Sequence, residues 1–184
     1  MKLNIPNILT LIRLVMIPVF ITLYYVPWKW SYMVAAGLFV LASLTDALDG
    51  YLARRLNQST PFGAFLDPVV DKLMVATALV VLVADYDNML ITMAAIVMIG
   101  REIVISALRE WMAEMGKRGI VAVSWLGKFK TAAQMIAITG LIIHFTNPIL
   151  TNISFGLLGV ATFLTIWSML SYIRAAWGDL TRHG

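Results

Sequence analysis

The sequence has no cysteine and few charged residues, and each of these absences excludes a class of protein. Without cysteine, neither a disulfide framework nor a thiolate metal site can form. Only 13% of the 184 residues are charged, whereas 60% are hydrophobic. Soluble proteins average about 45–50% apolar residues, and a soluble domain of this length could not bury the excess. The sequence therefore predicts an integral membrane protein with a single domain, residues 1–184.

The net charge of +4 does not indicate a nucleic-acid partner, because the sequence has no basic tail and no soluble basic domain. Cations next to membrane spans set topology and meet anionic groups. The positive charges are therefore interpreted as juxtamembrane residues.

Six apolar stretches predict an all-α bundle of six transmembrane helices. A span needs about 20 residues, and the shorter stretches reach this length by continuing into polar sequence that is compatible with a helix. The stretches lie near 14–28, 32–45, 73–84, 89–100, 131–143 and 153–173.

Threading these spans back and forth places all of their polar ends on one side of the membrane. The connections on the opposite side, near 27–31, 85–88 and 146–152, carry Lys29 as their single cation, and the other thirteen of the 14 Lys and Arg residues lie on the polar side. By the positive-inside rule, that side and both termini are cytoplasmic. Polar groups at membrane depth face a protein interior or water, which predicts a polar cavity open to the cytoplasmic side.

Four carboxylates are expected at the polar end of the second and third spans. Asp46 and Asp49 share one helix face, and Asp67 and Asp71 lie four residues apart on another. Carboxylates that converge in a low dielectric repel one another and need cations between them. Oxygen ligands without nearby His or Cys indicate Mg²⁺ or Mn²⁺, with two ions bridged by shared carboxylates. Two-metal sites of this kind serve phosphoryl chemistry.

Structural roles remain open for some of these acids. Asp67 could be a helix N-cap that is followed by proline at the first helical position. Asp46 and Asp49 could instead pair with the arginines at 54–55. A structural role for all four acids is the less favoured interpretation, because intramembrane acids are functional by default.

These acids belong to a motif, D-x2-D-G-x2-A-R-x8-G-x3-D-x3-D, whose eight fixed positions span 26 residues with every spacing intact. The eight positions are Asp46, Asp49, Gly50, Ala53, Arg54, Gly63, Asp67 and Asp71. With this motif and its six spans, the chain resembles the CDP-alcohol phosphotransferase family over essentially its whole length. The resemblance implies that an alcohol nucleophile displaces CMP from a CDP-linked lipid.

The resemblance also implies a role for each position of the motif. The four aspartates would hold two divalent ions against the diphosphate, and Asp71 would be the base for the acceptor hydroxyl. Arg54 would neutralise phosphate charge in the nucleotide site. That site would be lined by Gly50, Ala53, Arg54 and Gly63. A homodimer in a bacterial inner (plasma) membrane is implied as well.

Three further stretches, residues 4–13, 101–110 and 127–131, resemble those of bacterial phosphatidylglycerophosphate synthases. This second resemblance implies CDP-diacylglycerol as the donor and sn-glycerol 3-phosphate as the acceptor. The residues implied for the acceptor phosphate are Arg101, Arg109 and Lys128, with Thr10 and Arg13 near the pocket.

The charge pattern favours a phosphorylated acceptor independently of this resemblance. Arg101, Arg109, Lys128 and Lys130 provide more positive charge than a diphosphate requires, in groups suited to phosphate. Arg101 could instead pair with Glu102 or Asp46.

Other functions remain open. Within the family, the acceptor could be serine, inositol or inositol phosphate. A divalent-cation transporter is less favoured, because no acidic residues are expected to line the outer half of the spans. His144 falls near the opposite interface and is not expected to be catalytic.

Overall fold

A computed structural model shows six α-helices in the residues that it describes, which are 5–56, 61–114 and 125–180. Side chains are described in these ranges except at 5–6, 47–56, 61, 64, 125–128, 175–176 and 178–180. No strand occurs within the described ranges, so the all-α prediction is confirmed. The helices are α1 (Ile5–Tyr25), α2 (Ser31–Leu56), α3 (Pro61–Tyr86), α4 (Met89–Glu114), α5 (Trp125–Ile143) and α6 (Pro148–Leu180).

Short connections with asparagine caps begin two of the helices. The Asn88 side-chain oxygen accepts a hydrogen bond from the Leu90 amide at 2.9 Å, and Asn147 does the same for Ile149 at 2.9 Å. These bonds satisfy amides that have no partner within the helix. Pro148 occupies the first position of α6, where its missing N–H has no cost.

The helices pack as a ring in which each one contacts the helix on either side. Going around the ring, α1 packs on α2, α2 on α5, α5 on α6, α6 on α4, α4 on α3 and α3 on α1. α3 also contacts α2 and α5 across the interior. The third helix, which carries two of the motif's acids, is therefore the central element of the bundle.

The core contains both large apolar side chains and small residues. At Gly140 of α5, an added Cβ would lie 2.2 Å from the Ser154 hydroxyl oxygen of α6. Small residues at helix interfaces allow such close approach. Side chains that are 0% exposed come from all six helices and include Phe20, Phe39, Leu79, Ile91, Ile138 and Leu158.

The outer surface of the bundle is apolar, as a lipid environment requires. Val15, Ile96 and Phe163 are 62%, 62% and 64% exposed, respectively. Three helices are long and apolar enough to cross a membrane, within Asn7–Tyr25, Met89–Glu114 and Pro148–Arg174, and Ser31–Asp46 and Phe129–Ile143 are shorter apolar segments. The structure therefore confirms the prediction of a helical membrane protein.

The start of α3 differs from one alternative that the sequence left open. The helix begins at Pro61, so that Asp67 lies inside it and Pro68 is an internal proline. The interpretation of Asp67 as a helix N-cap is therefore wrong. The residues before Asp67 are themselves helical, so no helix end needs its side chain.

Candidate active site

Three helices bring charged groups together at one end of the bundle. Arg13 of α1 is 2% exposed, and its Nη1 donates to Asp46 Oδ1 of α2 at 2.5 Å. Its Nη2 donates to Asp67 Oδ1 of α3. A buried guanidinium needs counter-charge and hydrogen bonds, and two acids of the motif supply both. The sequence predicts Arg13 near the acceptor pocket, but the structure places it between these carboxylates.

Asp71 connects this carboxylate pair to a larger polar cavity. It follows Asp67 by one turn of α3 and lines a small cavity together with Arg13 and Ser43. It also lines a cavity of about 350 Å³ whose other walls are formed by α4, α5 and α6. Asp71, the fourth acid of the motif, is therefore shared by the two parts of the site.

The larger cavity, called the polar cavity below, has the size and charge to hold a small anion. Pockets for small molecules start at about 300 Å³. Four cations and two acids are among its lining residues. The polar members of the lining are Asp71, Lys72, Arg101, Glu102, Arg109, Lys130, Thr131, Gln134 and Tyr172.

The cations of the polar cavity are only partly neutralised by protein groups. Arg101 donates to Glu102 Oε1, which is one of the pairings that the sequence left open. Its Nε is buried without a hydrogen-bond partner among the described residues. Arg109 and Lys130, the latter only 5% exposed, form no ion pair in the part of the chain that the structure describes. Because buried cations need a counter-charge, the cavity is suited to an anionic ligand.

The remaining residues predicted for the site lie elsewhere or outside the described side chains. Thr10 is 2% exposed on α1, one turn before Arg13, and is absent from the described lining of the polar cavity. Gly63 lies in the first turn of α3. The side chains at five predicted positions lie outside the described residues: Asp49, Gly50, Ala53 and Arg54 in α2, and Lys128 in α5.

The polar cavity includes residues that the sequence analysis does not single out. Lys72 follows Asp71 directly, and Gln134 follows Lys130 by four residues, which places it on the same face of α5. Their positions relative to the predicted site residues Asp71 and Lys130 could have indicated both. Tyr172 comes from α6, where tyrosine is ordinarily interpreted as an interfacial anchor, and no local pattern indicates its place in the cavity.

The acids have the donor chemistry of a site for a hard divalent cation. Asp46 and Asp67 approach one cationic group from two helices, and Asp71 follows one turn later. Carboxylate oxygens are the ligands that Mg²⁺ and Mn²⁺ prefer. The described residues contain no group of three His, Asp or Glu side chains close enough to enclose an ion. In this arrangement Arg13 supplies the positive charge between Asp46 and Asp67. The chemistry of these donors suits a divalent cation, and the side chain of Asp49, the remaining acid of the motif, lies outside the described residues.

An apolar groove of about 940 Å³ opens next to the polar cavity. It is lined by residues of α2, α5 and α6, from Thr131 near the start of α5 to Phe145 beyond its end. Thr131 and Met135 line both the groove and the polar cavity. A molecule with an anionic head and apolar chains can therefore be accommodated by the two spaces together.

An acidic residue also lies at the opposite end of the bundle, contrary to the expectation from the sequence. Asp85 Oδ2 lies 2.5 Å from His144 Nε2, and the Tyr24 hydroxyl donates to the same oxygen at 2.8 Å. Leu79 and Leu82, both 0% exposed, lie along α3 between this acid and the motif. Asp85 is therefore engaged in a separate cluster, and His144 does not line the polar cavity.

Comparison with known proteins identifies the family. Residues 3–167 match the model of the CDP-alcohol phosphatidyltransferase family. A relative from Pseudomonas fluorescens is 55% identical over 98% of this chain and 94% of its own length. One from Salmonella typhimurium strain LT2 is 53% identical over 98% of both chains, and one from Sodalis glossinidius is 55% identical over 100% of both. All three are named CDP-diacylglycerol–glycerol-3-phosphate 3-phosphatidyltransferase. The chain therefore belongs to the CDP-alcohol phosphatidyltransferase family, as its motif predicts.

Proposed function

We propose that this chain is an enzyme that transfers the phosphatidyl group from CDP-diacylglycerol to sn-glycerol 3-phosphate, giving phosphatidylglycerophosphate and CMP. The observation that carries the proposal is the polar cavity, in which Asp71 lies together with Arg101, Arg109 and Lys130. The names of the relatives describe the same reaction.

In this reaction a hydroxyl oxygen of the acceptor bonds to the phosphorus that carries the diacylglycerol. The bond from that phosphorus to the oxygen of CMP breaks, and CMP leaves with the electron pair. Asp71 accepts the proton of the acceptor hydroxyl. Its place between the carboxylate pair and the polar cavity supports this role, because the two substrates would meet there.

The four acids of the motif, Asp46, Asp49, Asp67 and Asp71, would hold two ions of Mg²⁺ or Mn²⁺. When bound, these ions would neutralise the diphosphate and stabilise the charge that develops on CMP. Arg13 keeps Asp46 and Asp67 next to each other and offsets their repulsion. The nucleotide would lie along Gly50, Ala53, Arg54 and Gly63.

The acceptor phosphate would be bound by Arg101 and Arg109, whose planar guanidinium groups match phosphate oxygens, and by Lys128 and Lys130. The diacyl chains of the donor would occupy the apolar groove, which adjoins the polar cavity at Thr131 and Met135. In this proposal the lipid chains and the water-soluble acceptor would occupy adjoining spaces, and Asp71 lines the one that holds the acceptor.

The proposal includes the location and assembly of the protein. With one exception, the 14 Lys and Arg residues belong to the cavity end of the predicted topology. By the positive-inside rule the cavity then opens to the cytoplasm from a bacterial inner membrane. A homodimer and a single domain over residues 1–184 belong to the same proposal.

The function is tested by CMP release from labelled CDP-diacylglycerol with purified protein and a panel of acceptors. Glycerol 3-phosphate is expected to give the fastest release, since the cations of the polar cavity require an anionic acceptor. Excess chelator should stop the reaction, and added Mg²⁺ or Mn²⁺ should restore it. Faster release with serine or inositol would overturn the acceptor, and full turnover in metal-free buffer would overturn the role of the four acids.

A further inference from the structure

Lys72 is a half-buried cation of α3 that lies outside the family's motif. Its Nζ donates a hydrogen bond to the Ser106 hydroxyl oxygen of α4. That hydroxyl donates in turn to the backbone oxygen of Glu102 at 2.6 Å. Among the described residues, Lys72 forms no ion pair. The ammonium group is therefore held by one neutral acceptor and retains two N–H donors.

Lys72 borders the space in which the reaction is proposed to take place. It lines the polar cavity together with Asp71, its neighbour in sequence, and with Arg101, Arg109 and Lys130. It also lines a cavity of about 460 Å³ between α3 and α4 whose other lining is mainly apolar. An ammonium group in such surroundings is unfavourable unless an anion accompanies it.

The protein itself supplies too little negative charge to meet this need. Glu102 is engaged with Arg101, and Asp71 is proposed to accept a proton and hold a cation. The missing counter-charge is therefore expected from a ligand. A phosphate monoester, which is dianionic near neutral pH, provides charge for several cations at once. It also offers a better acceptor to an ammonium group than a serine hydroxyl does.

We propose that Lys72 binds and positions the phosphorylated acceptor. In the absence of acceptor its ammonium group is held on Ser106, and it moves to the acceptor phosphate when that substrate enters the cavity. The flexible four-carbon stem of lysine permits this movement within one site. Because Lys72 follows Asp71, the contact would place the acceptor hydroxyl near the carboxylate that takes its proton. This inference rests on the proposed transfer to glycerol 3-phosphate.

The test compares Lys72→Met, Lys72→Arg and Ser106→Ala with the wild type. Initial rates of CMP release are measured with glycerol 3-phosphate varied and then with CDP-diacylglycerol varied. Lys72→Met should raise the KM for glycerol 3-phosphate roughly 10- to 150-fold, the effect of losing one charge-assisted contact. It should change the KM for CDP-diacylglycerol far less, and Lys72→Arg should restore part of the loss. Ser106→Ala should keep or lower the KM for glycerol 3-phosphate, because it releases Lys72.

Lys29→Met is the matched control. Lys29 lies in the connection between α1 and α2, with its Nζ 5.5 Å from the centre of the Trp30 ring, and the same substitution there should leave both KM values unchanged. Inhibition by inorganic phosphate gives a second readout, and it should weaken in Lys72→Met when phosphate competes with glycerol 3-phosphate.

Four outcomes separate the competing explanations. A Lys72→Met enzyme with an unchanged KM for glycerol 3-phosphate would overturn the proposal. A rise confined to the KM for CDP-diacylglycerol would also overturn it and would assign Lys72 to the diphosphate of the donor. If Lys72→Met does not fold, an equal loss of folded protein in Ser106→Ala would show that the contact with Ser106 is structural. A wild type that releases no CMP with glycerol 3-phosphate would contradict the proposed function itself.

Discussion

Arg13 and Asp71 differ in the ion pairs that they form within the site. Arg13 engages Asp46 and Asp67 through its two terminal nitrogens. Asp71 forms no ion pair in the part of the chain that the structure describes, and it lines the polar cavity. Its oxygens therefore remain accessible to a ligand in that cavity. Among the described acids of the motif, this difference favours Asp71 for the proposed role of proton acceptor.

Asp71→Asn tests this role, because the amide has the same shape but cannot accept the proton. We expect turnover to fall by about 10²- to 10⁴-fold, the usual effect of losing a general base. The KM for CDP-diacylglycerol should change less than in Asp46→Asn. Asp46 belongs to the carboxylate pair held by Arg13 and is not part of the described lining of the polar cavity. Both constants come from initial rates of CMP release.

Asp87→Asn is the control for this prediction. Asp87 is exposed at the opposite end of the bundle and has a φ of 42°, a conformation that asparagine also adopts readily. Turnover should be unaffected there. Near-normal turnover in Asp71→Asn would mean that a different group takes the proton.

At the scale of whole helices, a cluster of side chains around His144 joins several helices at the end of the bundle opposite the site. This residue follows α5 with a φ of 52°, and its ring stacks on Tyr32 and Tyr86 with centroid distances of 4.4 and 4.5 Å. Its Nε2 contacts Asp85, and the Tyr24 hydroxyl lies 3.0 Å away. Residues from α1, α2, α3 and the end of α5 thus meet at one imidazole.

This cluster is expected to stabilise the bundle without taking part in the reaction. His144→Ala removes the contact with the Asp85 carboxylate and both ring contacts, and it should destabilise the protein by about 1.5–3 kcal/mol, the range for a hydrogen bond to a charged group. Thermal inactivation in detergent measures the change. Turnover well below the inactivation temperature should stay near that of the wild type.

Two tyrosines provide a matched pair for the same cluster. Tyr24→Phe removes the hydroxyl that donates to Asp85, whereas Tyr25→Phe removes one from a side chain that is 57% exposed. The first variant should lower the inactivation temperature and the second should not. A large loss of turnover in His144→Ala at low temperature would assign this end of the molecule to the reaction.

The sequence predicts the helices of this molecule better than the contacts between them. The apolar stretches and the motif are patterns of residues that lie close together in the sequence. The six helices confirm the prediction from the apolar stretches, and the family match confirms the prediction from the motif. The pairing of Arg13 with acids 33 and 54 residues away depends on how α1 packs against α2 and α3. The same limit applies to Tyr172, which enters the polar cavity only because α6 packs on α4 and α5.

The start of α3 shows a second limit of local patterns. A proline after an acid is typical of a helix N-terminus, yet α3 begins at Pro61 and continues through Pro68. The first turn of a helix tolerates proline, but an interior proline leaves a carbonyl without its usual partner. Neighbouring helices and polar groups make this tolerable in membrane proteins, and those neighbours are not visible in the local sequence.

For the whole molecule, the absence of cysteine makes its orientation in the membrane directly measurable. A single introduced cysteine is the only thiol in the chain. Thr146→Cys places it in the exposed connection between α5 and α6, and Glu110→Cys places it on an exposed position of α4 near the polar cavity. Neither residue lines the polar cavity, so both variants should keep their activity.

A maleimide that cannot cross membranes is then added to intact spheroplasts that express each variant. If the polar cavity opens to the cytoplasm, Thr146→Cys should be labelled at once, whereas Glu110→Cys should be labelled only after the membrane is permeabilised. We expect this orientation because the positive-inside rule disfavours moving the lysines and arginines of the cavity end across the membrane. The cysteine-free parent controls for labelling of other proteins. Labelling of Glu110→Cys alone in intact spheroplasts would reverse the topology. The acceptor phosphate would then have to enter from outside the cell, which would contradict the cytoplasmic location proposed for the reaction.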